Sequence, residues 1–169
     1  LQEFVPEGTF VASEYSLGFD GLLNYYADSE KVICEDFSEA FIAQAGYSSK
    51  FAYPYVVKDS EELLERIAKD DMVRGITISA PGFYGPQGRA IRLPLADADL
   101  NNKIIGFDYK GHKVTNFEME GSAIAGLSAM LGHKALTICL IIANRFGKRF
   151  IGDYKPYMQK LIETVLERI

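Results

Sequence analysis

Cysteine and histidine are scarce in this chain, with two of each among 169 residues. Cys34 and Cys139 stand far apart in unlike contexts, and no CxxC occurs. So few thiols support neither a disulfide framework nor a zinc site. They fit a reducing compartment, and a cytoplasmic location is expected. His112 and His133 pair with no Cys, Asp or Glu at metal-ligand spacing, so no metal is expected. A Ser-His-Asp triad is poorly supplied for the same reason. Long apolar runs are missing too. The strongest, Ala135 to Ala143, is far too short to span a bilayer, and no signal peptide opens the chain. Positive charge is not in excess: 18 Lys and Arg face 23 Asp and Glu, for a net charge of −5. That balance argues against nucleic acid or an anionic membrane as partner. Neither GxxxxGK[ST] nor GxSxG is present, and Gly82, Gly85 and Gly88 are spaced GxxGxxG rather than GxGxxG.

What is there is ordinary for a globular protein, 48% hydrophobic and 24% charged. No repeat, low-complexity tract or linker divides the chain, so residues 1–169 read as a single domain or one piece of one. Gly8 to Ser16, Ala52 to Val57, Val73 to Ser79 and Lys113 to Met119 are expected strands. Ala135 to Ala143 is expected as a central parallel strand. Helices are expected over Ser38 to Ala45, ended by Gly46, and from Gly121 to Leu131, ended by Gly132. Another should follow Asp59, which is placed to form a capping box with Glu62. The last helix carries Pro156 near its start and an apolar stripe of Met158, Leu161, Ile162, Val165, Leu166 and Ile169. Ala80 to Gly111 shows no period and is either a functional loop or several short pieces. This alternation of strand and helix predicts an α/β fold with a mostly parallel sheet between helices. In such sheets ligands lie beyond the carboxyl ends of the strands, which directs attention to the loops after Ser79, Met119 and Ala143.

Each of those places holds a constellation. Phe83-Tyr84-Gly85-Pro86-Gln87-Gly88-Arg89 offers aromatics, an amide and a guanidinium within seven residues. An amide donates and accepts, and a guanidinium only donates. Together they can read the edge of a planar heterocycle while an aromatic packs on its face. A surface loop with an incidental Arg would look the same. Asn116-Phe117-Glu118-Met119-Glu120 sets two carboxylates at a strand-to-helix junction, where they could accept hydrogen bonds from a vicinal diol. Equally, such acids can stabilise a helix N-terminus. Asn144-Arg145 follows the apolar strand directly. Its Arg can point to the ligand crevice or pair with an acid on the rim.

FYGPQGR, NFEMEGSA and IIANR, in this order, resemble segments of the nucleoside phosphorylases of the trimeric/hexameric superfamily, most closely the uridine phosphorylases. That resemblance implies a three-layer αβα fold with a mixed, mostly parallel central sheet, here without its amino-terminal half. It implies phosphorolysis of a pyrimidine nucleoside, with inorganic phosphate as co-substrate and no cofactor. Gln87 and Arg89 would bind the uracil carbonyls and N3, and Phe83 would pack against base or sugar. Arg145 would help polarise a uracil carbonyl. Phe117 would cover the base, Met119 would contact the nucleoside, and Glu120 would hold the ribose hydroxyls. Glu118 and Asn144 flank these positions and join them as candidate substrate-binding residues. A homo-oligomer, dimer or hexamer, is implied by analogy.

The family's phosphate-binding glycine loop and arginines come from its amino-terminal half. LQEFVPEGTFVASEYSLGFDG resembles the stretch that follows the family's central Thr-Gly-Ala segment, and residue 1 is Leu. The chain is therefore expected to be the larger, carboxyl-terminal part of a longer protein, and to be inactive alone. Purine-directed members and nucleosidases of the superfamily place an Asp near the end of the last strand. Here that place reads Ala143-Asn144-Arg145, and Asn cannot deliver a proton in that way. A pyrimidine is favoured. A purine phosphorylase or nucleosidase, with Asp153 as the nearest later acid, and a non-catalytic nucleoside-binding module stay as alternatives.

Overall fold

A computed structural model describes residues 1–145 and 147–169. Its spine is β1 (Phe10–Gly18), a run of β-branched and aromatic residues buried along most of its length. One edge of β1 pairs in parallel with β3 (Met72–Ser79), and β3 pairs in parallel with β5 (His112–Glu118). The other edge takes two antiparallel strands, β2 (Tyr55–Lys58) and β6 (Ile138–Leu140). A two-residue strand, β4 (Asp108–Tyr109), closes the far side antiparallel to β5. The sheet is thus mixed, with its longest parallel ladder at the centre. Beyond it, β7 (Ala143–Asn144) and β8 (Arg149–Phe150) form a separate two-stranded ribbon.

A register shift between Ser13 and Tyr15 inserts an extra residue in β1, so Phe10 and Ala12 before it and Tyr15 and Leu17 after it lie on one face of the sheet, beside Met72, Ile76 and Ile78 of β3. Before it, Phe10 and Ala12 pack on α2 (Glu61–Ile67) and α5 (Lys155–Leu166) through Leu64, Ile67 and Leu161. After it, Tyr15, Leu17 and Phe19 face α1 (Glu35–Ala45) and α3 (Leu100–Gly106) through Phe37, Phe41, Ile104 and Phe107. The helix α4 (Gly121–Met130) covers Tyr55 and Val57 on the opposite face, beside Ser16, Gly18, Thr77 and Ser79. Helices on both faces of a mixed sheet make the three αβα layers. Fully burying a side chain such as Phe37 or Phe41 contributes about 1.5–3 kcal/mol.

Several elements differ from expectation. Ala135 to Ala143 does not run as one central parallel strand. Only Ile138–Leu140 is extended in the sheet, antiparallel at the edge of β1. Its apolar residues are explained by Met158, Leu161 and Val165 of α5, which pack on Leu136, Ile138 and Leu140. Asp59 does not cap α2. Ser60 does, accepting the Leu63 N–H at 3.4 Å, while Asp59 is buried between β1 and the approach to β6. The segment from Ala80 to Gly111 resolves into short pieces: a 3₁₀ turn at Gly85–Gln87, α3 and β4. The apolar stripe of α5 is wider than what covers it. Leu161 is buried, but Ile162, Leu166 and Ile169 are exposed. Gly46 ends α1 as expected, in the left-handed conformation at φ 55° that a side chain disfavours.

Candidate active site at the carboxyl ends of the parallel strands

The carboxyl ends of β3 and β5 lie in register, Ser79 opposite Glu118. The Ala80 N–H donates to the Glu118 carbonyl at 3.0 Å. Two candidate segments therefore leave the sheet side by side. From β3 comes the loop Phe83 to Arg89, and from β5 comes Met119-Glu120. Gln87 N–H donates to the Tyr84 carbonyl at 3.1 Å, and Arg89 N–H donates to the same oxygen at 2.9 Å. This turn folds the Gln87 side chain inward, and the residue is 4% exposed.

Gln87 is the hub. Its Oε1 accepts from Arg89 Nη1 at 2.7 Å and from Arg145 Nη2 at 2.6 Å. Its main-chain carbonyl accepts from Arg145 Nη1 and from Asn101 Nδ2. Two guanidinium groups thus converge on one amide oxygen. Among the described residues neither Arg89 nor Arg145 forms an ion pair with a carboxylate. Burial, and then the charge of Arg89, lower Arg145 to about 10, so it stays charged at neutral pH. Burial lowers Arg89 as well. The arginines are held from behind by aromatic faces: Arg89 lies 3.7 Å over the Phe83 ring, and Arg145 lies 5.0 Å from the centre of the Phe117 ring. Arg89 also donates to the Phe83 carbonyl. With both lone pairs of Oε1 taken, the Gln87 Nε2 donates to no acceptor among the described residues. The cluster is a concentrated, unneutralised positive site with free N–H donors. Electron-rich carbonyl oxygens are its natural complement.

Five expected residues (Phe83, Gln87, Arg89, Phe117 and Arg145) are brought together here. Glu118 is committed elsewhere. Its Oε2 accepts the N–H groups of Glu120 at 2.8 Å and Gly121 at 2.7 Å, and its Oε1 accepts from Ser79 Oγ. It closes the N-terminus of α4, where a carboxylate is favoured by the helix dipole. Asn144 is committed too. It is 2% exposed, donates to the carbonyls of Gln2 at 3.1 Å and Val5 at 2.8 Å, and accepts from Gly147 N–H at 2.9 Å. Both side chains spend their polar atoms on the fold. Met119 and Glu120 stand exposed at the start of α4, and the Glu120 carboxylate accepts no hydrogen bond from a described residue. Asp153 accepts the Lys155 N–H at 3.1 Å at the start of α5.

Two supporting residues escaped the sequence reading. Ser79 joins Glu118 and also accepts the Ser122 N–H at 2.7 Å. A polar residue ending an apolar strand, in register with a carboxylate, was its available signal. Asn101, from α3, carried no signal of its own. A cavity of about 730 Å³ adjoins the cluster, walled by Phe19, Tyr47, Phe51, Pro86, Leu95 and Leu100. Its walls include Arg89 but neither Gln87 nor Arg145, so it neighbours the cluster rather than containing it. Among the described residues no group of three or more His, Cys, Asp or Glu is placed to hold a metal, and no helix is long and apolar enough to cross a membrane.

This three-layer αβα fold has counterparts among known proteins. The chain belongs to the Phosphorylase superfamily, whose family model matches residues 1–167. It is similar to a Trypanosoma brucei nucleoside phosphorylase described as showing uridine phosphorylase activity. The crystal structure of that protein superposes with a TM-score of 0.84 at 27% identity, over 98% of this chain and 59% of that one. It is also 31% identical over 100 residues to inactive uridine phosphorylase B of Schistosoma mansoni, covering 53% of this chain and 30% of that protein. A uridine phosphorylase of Thermococcus kodakarensis is 34% identical over 82 residues, covering 45% of this chain and 27% of that protein. The chain thus spans about three-fifths of the trypanosomal structure, and the segments matched to the curated relatives span about a third of them or less.

Proposed function

We propose that the complete protein carrying this chain is a pentosyltransferase that phosphorolyses a pyrimidine nucleoside, converting uridine and phosphate to uracil and ribose 1-phosphate. The observation that carries this reading is the convergence of Arg89 and Arg145 on Gln87. Phosphate oxygen bonds to the anomeric carbon as the bond from that carbon to uracil N1 breaks. The electron pair of the broken bond passes into the base and spreads onto its two carbonyl oxygens, and uracil N1 then takes up the proton that phosphate loses on forming ribose 1-phosphate. Preset N–H donors beside those oxygens lower the barrier without forming a covalent intermediate. In this reading Arg89 and the Nε2 of Gln87 donate to them. Arg145 acts through its grip on Gln87 and by its charge. For base N3–H to reach Gln87 Oε1, one of the two guanidinium bonds to that oxygen must give way. Glu120, exposed and without a partner among the described residues, is the ribose-hydroxyl acceptor of this reading, and Met119 packs beside it.

Inorganic phosphate is the co-substrate and no cofactor enters. Residues 1–169 form one part of a single phosphorylase domain, and the phosphate site belongs to another part of that domain. The complete protein acts as a homo-oligomer in the cytoplasm, with neither nucleic acid nor membrane as partner. Residues 1–169 alone are inactive. Efficient phosphorolysis by this piece would contradict that statement. The similarity to an inactive Schistosoma relative supports a second reading, a protein that keeps the base site without catalysis. Calorimetric binding of uracil and adenine to the complete protein tests the base assignment. Uracil is expected to bind and adenine not; the reverse order would overturn it.

A further inference from the structure

We infer that Asn101 is a positioning residue for the base-binding cluster, acting through Gln87 and interlocked with Gly88. The inference rests on the uracil-binding reading above. Asn101 sits at the start of α3, one residue after Leu100, which is buried in the main core with Ile104. Its Nδ2 donates to the Gln87 main-chain carbonyl at 3.2 Å, the same oxygen that receives Arg145 Nη1. The helix thus anchors the loop at the residue whose side chain holds both arginines.

The neighbouring glycine makes room for this anchor. Gly88 has φ +71°, and a Cβ built on it would lie 2.2 Å from Asn101 Nδ2, 2.6 Å from Cγ and 2.8 Å from Oδ1. The Asn101 amide therefore fills the space that any other residue at 88 would claim. Its Oδ1 is buried without a hydrogen-bond partner among the described residues. A buried amide that leaves its acceptor unsatisfied is costly in folding terms. Its placement is explained by the one bond it makes, to the backbone of Gln87. Rotating the amide would exchange donor for acceptor and set two oxygens against each other, so the orientation is fixed by chemistry.

The test uses the complete protein and five variants. Asn101→Leu keeps the volume and removes the donor. Asn102→Ala alters the exposed neighbour on the same helix, whose side chain bonds only Asp99 among the described residues. Gly88→Ala, Asn101→Ala and their combination complete a double-mutant cycle. Asn101→Leu should weaken uracil binding about fivefold to tenfold, the worth of one hydrogen bond. It should leave the KM for phosphate unchanged, and Asn102→Ala should match wild type. Gly88→Ala should weaken uracil binding less when Asn101 is also Ala than when it is Asn. Equal uracil binding by wild type and Asn101→Leu would overturn the inference alone. So would a parallel loss of phosphate affinity, or additive effects in the cycle. Failure of the wild-type protein to bind uracil would overturn the proposed function and this inference with it.

Discussion

Arg145 grips Gln87 twice, with Nη2 on the side-chain Oε1 at 2.6 Å and Nη1 on the main-chain carbonyl. A planar guanidinium can bridge two acceptors in that way, and a lysine ammonium cannot do so with the same geometry. Arg145→Ala should free the Gln87 amide and remove half of the positive charge of the cluster. The expected cost is about a hundredfold to a thousandfold in kcat/KM for uridine, comparable with loss of an oxyanion donor. Arg145→Lys should fall between wild type and Ala. Steady-state kinetics on the complete protein measures this, and a Lys variant equal to wild type would argue against the double grip.

Glu118 and Glu120 stand two residues apart and should respond oppositely. Glu118 holds two N–H groups at the start of α4 and the Ser79 hydroxyl, so Glu118→Ala is expected to cost about 1–2 kcal/mol of stability. Glu120 is exposed, so Glu120→Ala should change stability by less than about 0.5 kcal/mol. It should weaken binding of uridine more than of uracil, because only uridine carries the ribose. Urea denaturation read beside calorimetric titration separates the two roles.

Asp59 gives a pH signature. It is 4% exposed, and its carboxyl accepts from Ser16 Oγ at 2.7 Å and from Thr137 N–H at 3.3 Å. Burial, outweighing those hydrogen bonds and helped by nearby Glu118, raises it from 3.8 to about 7. In the window between those values the folded protein holds a proton that the unfolded chain has released. Stability from this group is therefore full below about pH 4 and declines as pH rises toward 7, a span of about 4 kcal/mol at most. Asp59→Asn should flatten the pH dependence of the unfolding midpoint across that window and raise stability at pH 8. An unchanged slope would show that Asp59 ionises normally.

Gly18 is set by its neighbour. A Cβ there would lie 2.3 Å from Cζ of Tyr55, a fully buried ring whose hydroxyl shares a hydrogen bond with Ser122 at 3.0 Å. Gly18→Ala should destabilise by about 1–3 kcal/mol through overpacking. Thermal or urea unfolding would show it.

The parts of this molecule legible in its sequence are those set by local rules. β1, β3 and β5 announce themselves through β-branched and aromatic runs, and Gly46 marks the end of α1. The motif order brought Gln87, Arg89 and Arg145 into view before any geometry. What the sequence concealed depends on pairing at a distance. Ala135 to Ala143 is apolar whether it lies central or at an edge, so composition could not place β6 beside β1. Asp59 and Ser60 are both good caps, and the Ser16 hydroxyl and the Thr137 N–H, 43 and 78 residues away, draw Asp59 inward. Glu118 and Glu120 look alike in the chain; the register with Ser79 distinguishes them. Asn101 bonds a backbone carbonyl 14 residues back, which no local pattern reports.

The most direct measurement is base release from uridine by the complete protein, with and without phosphate, with adenosine run beside it. The account predicts uracil release that requires phosphate, yields ribose 1-phosphate and does not occur with adenosine. Release without phosphate, or from adenosine alone, would contradict it and leave the Gln87–Arg89–Arg145 cluster without its assigned role.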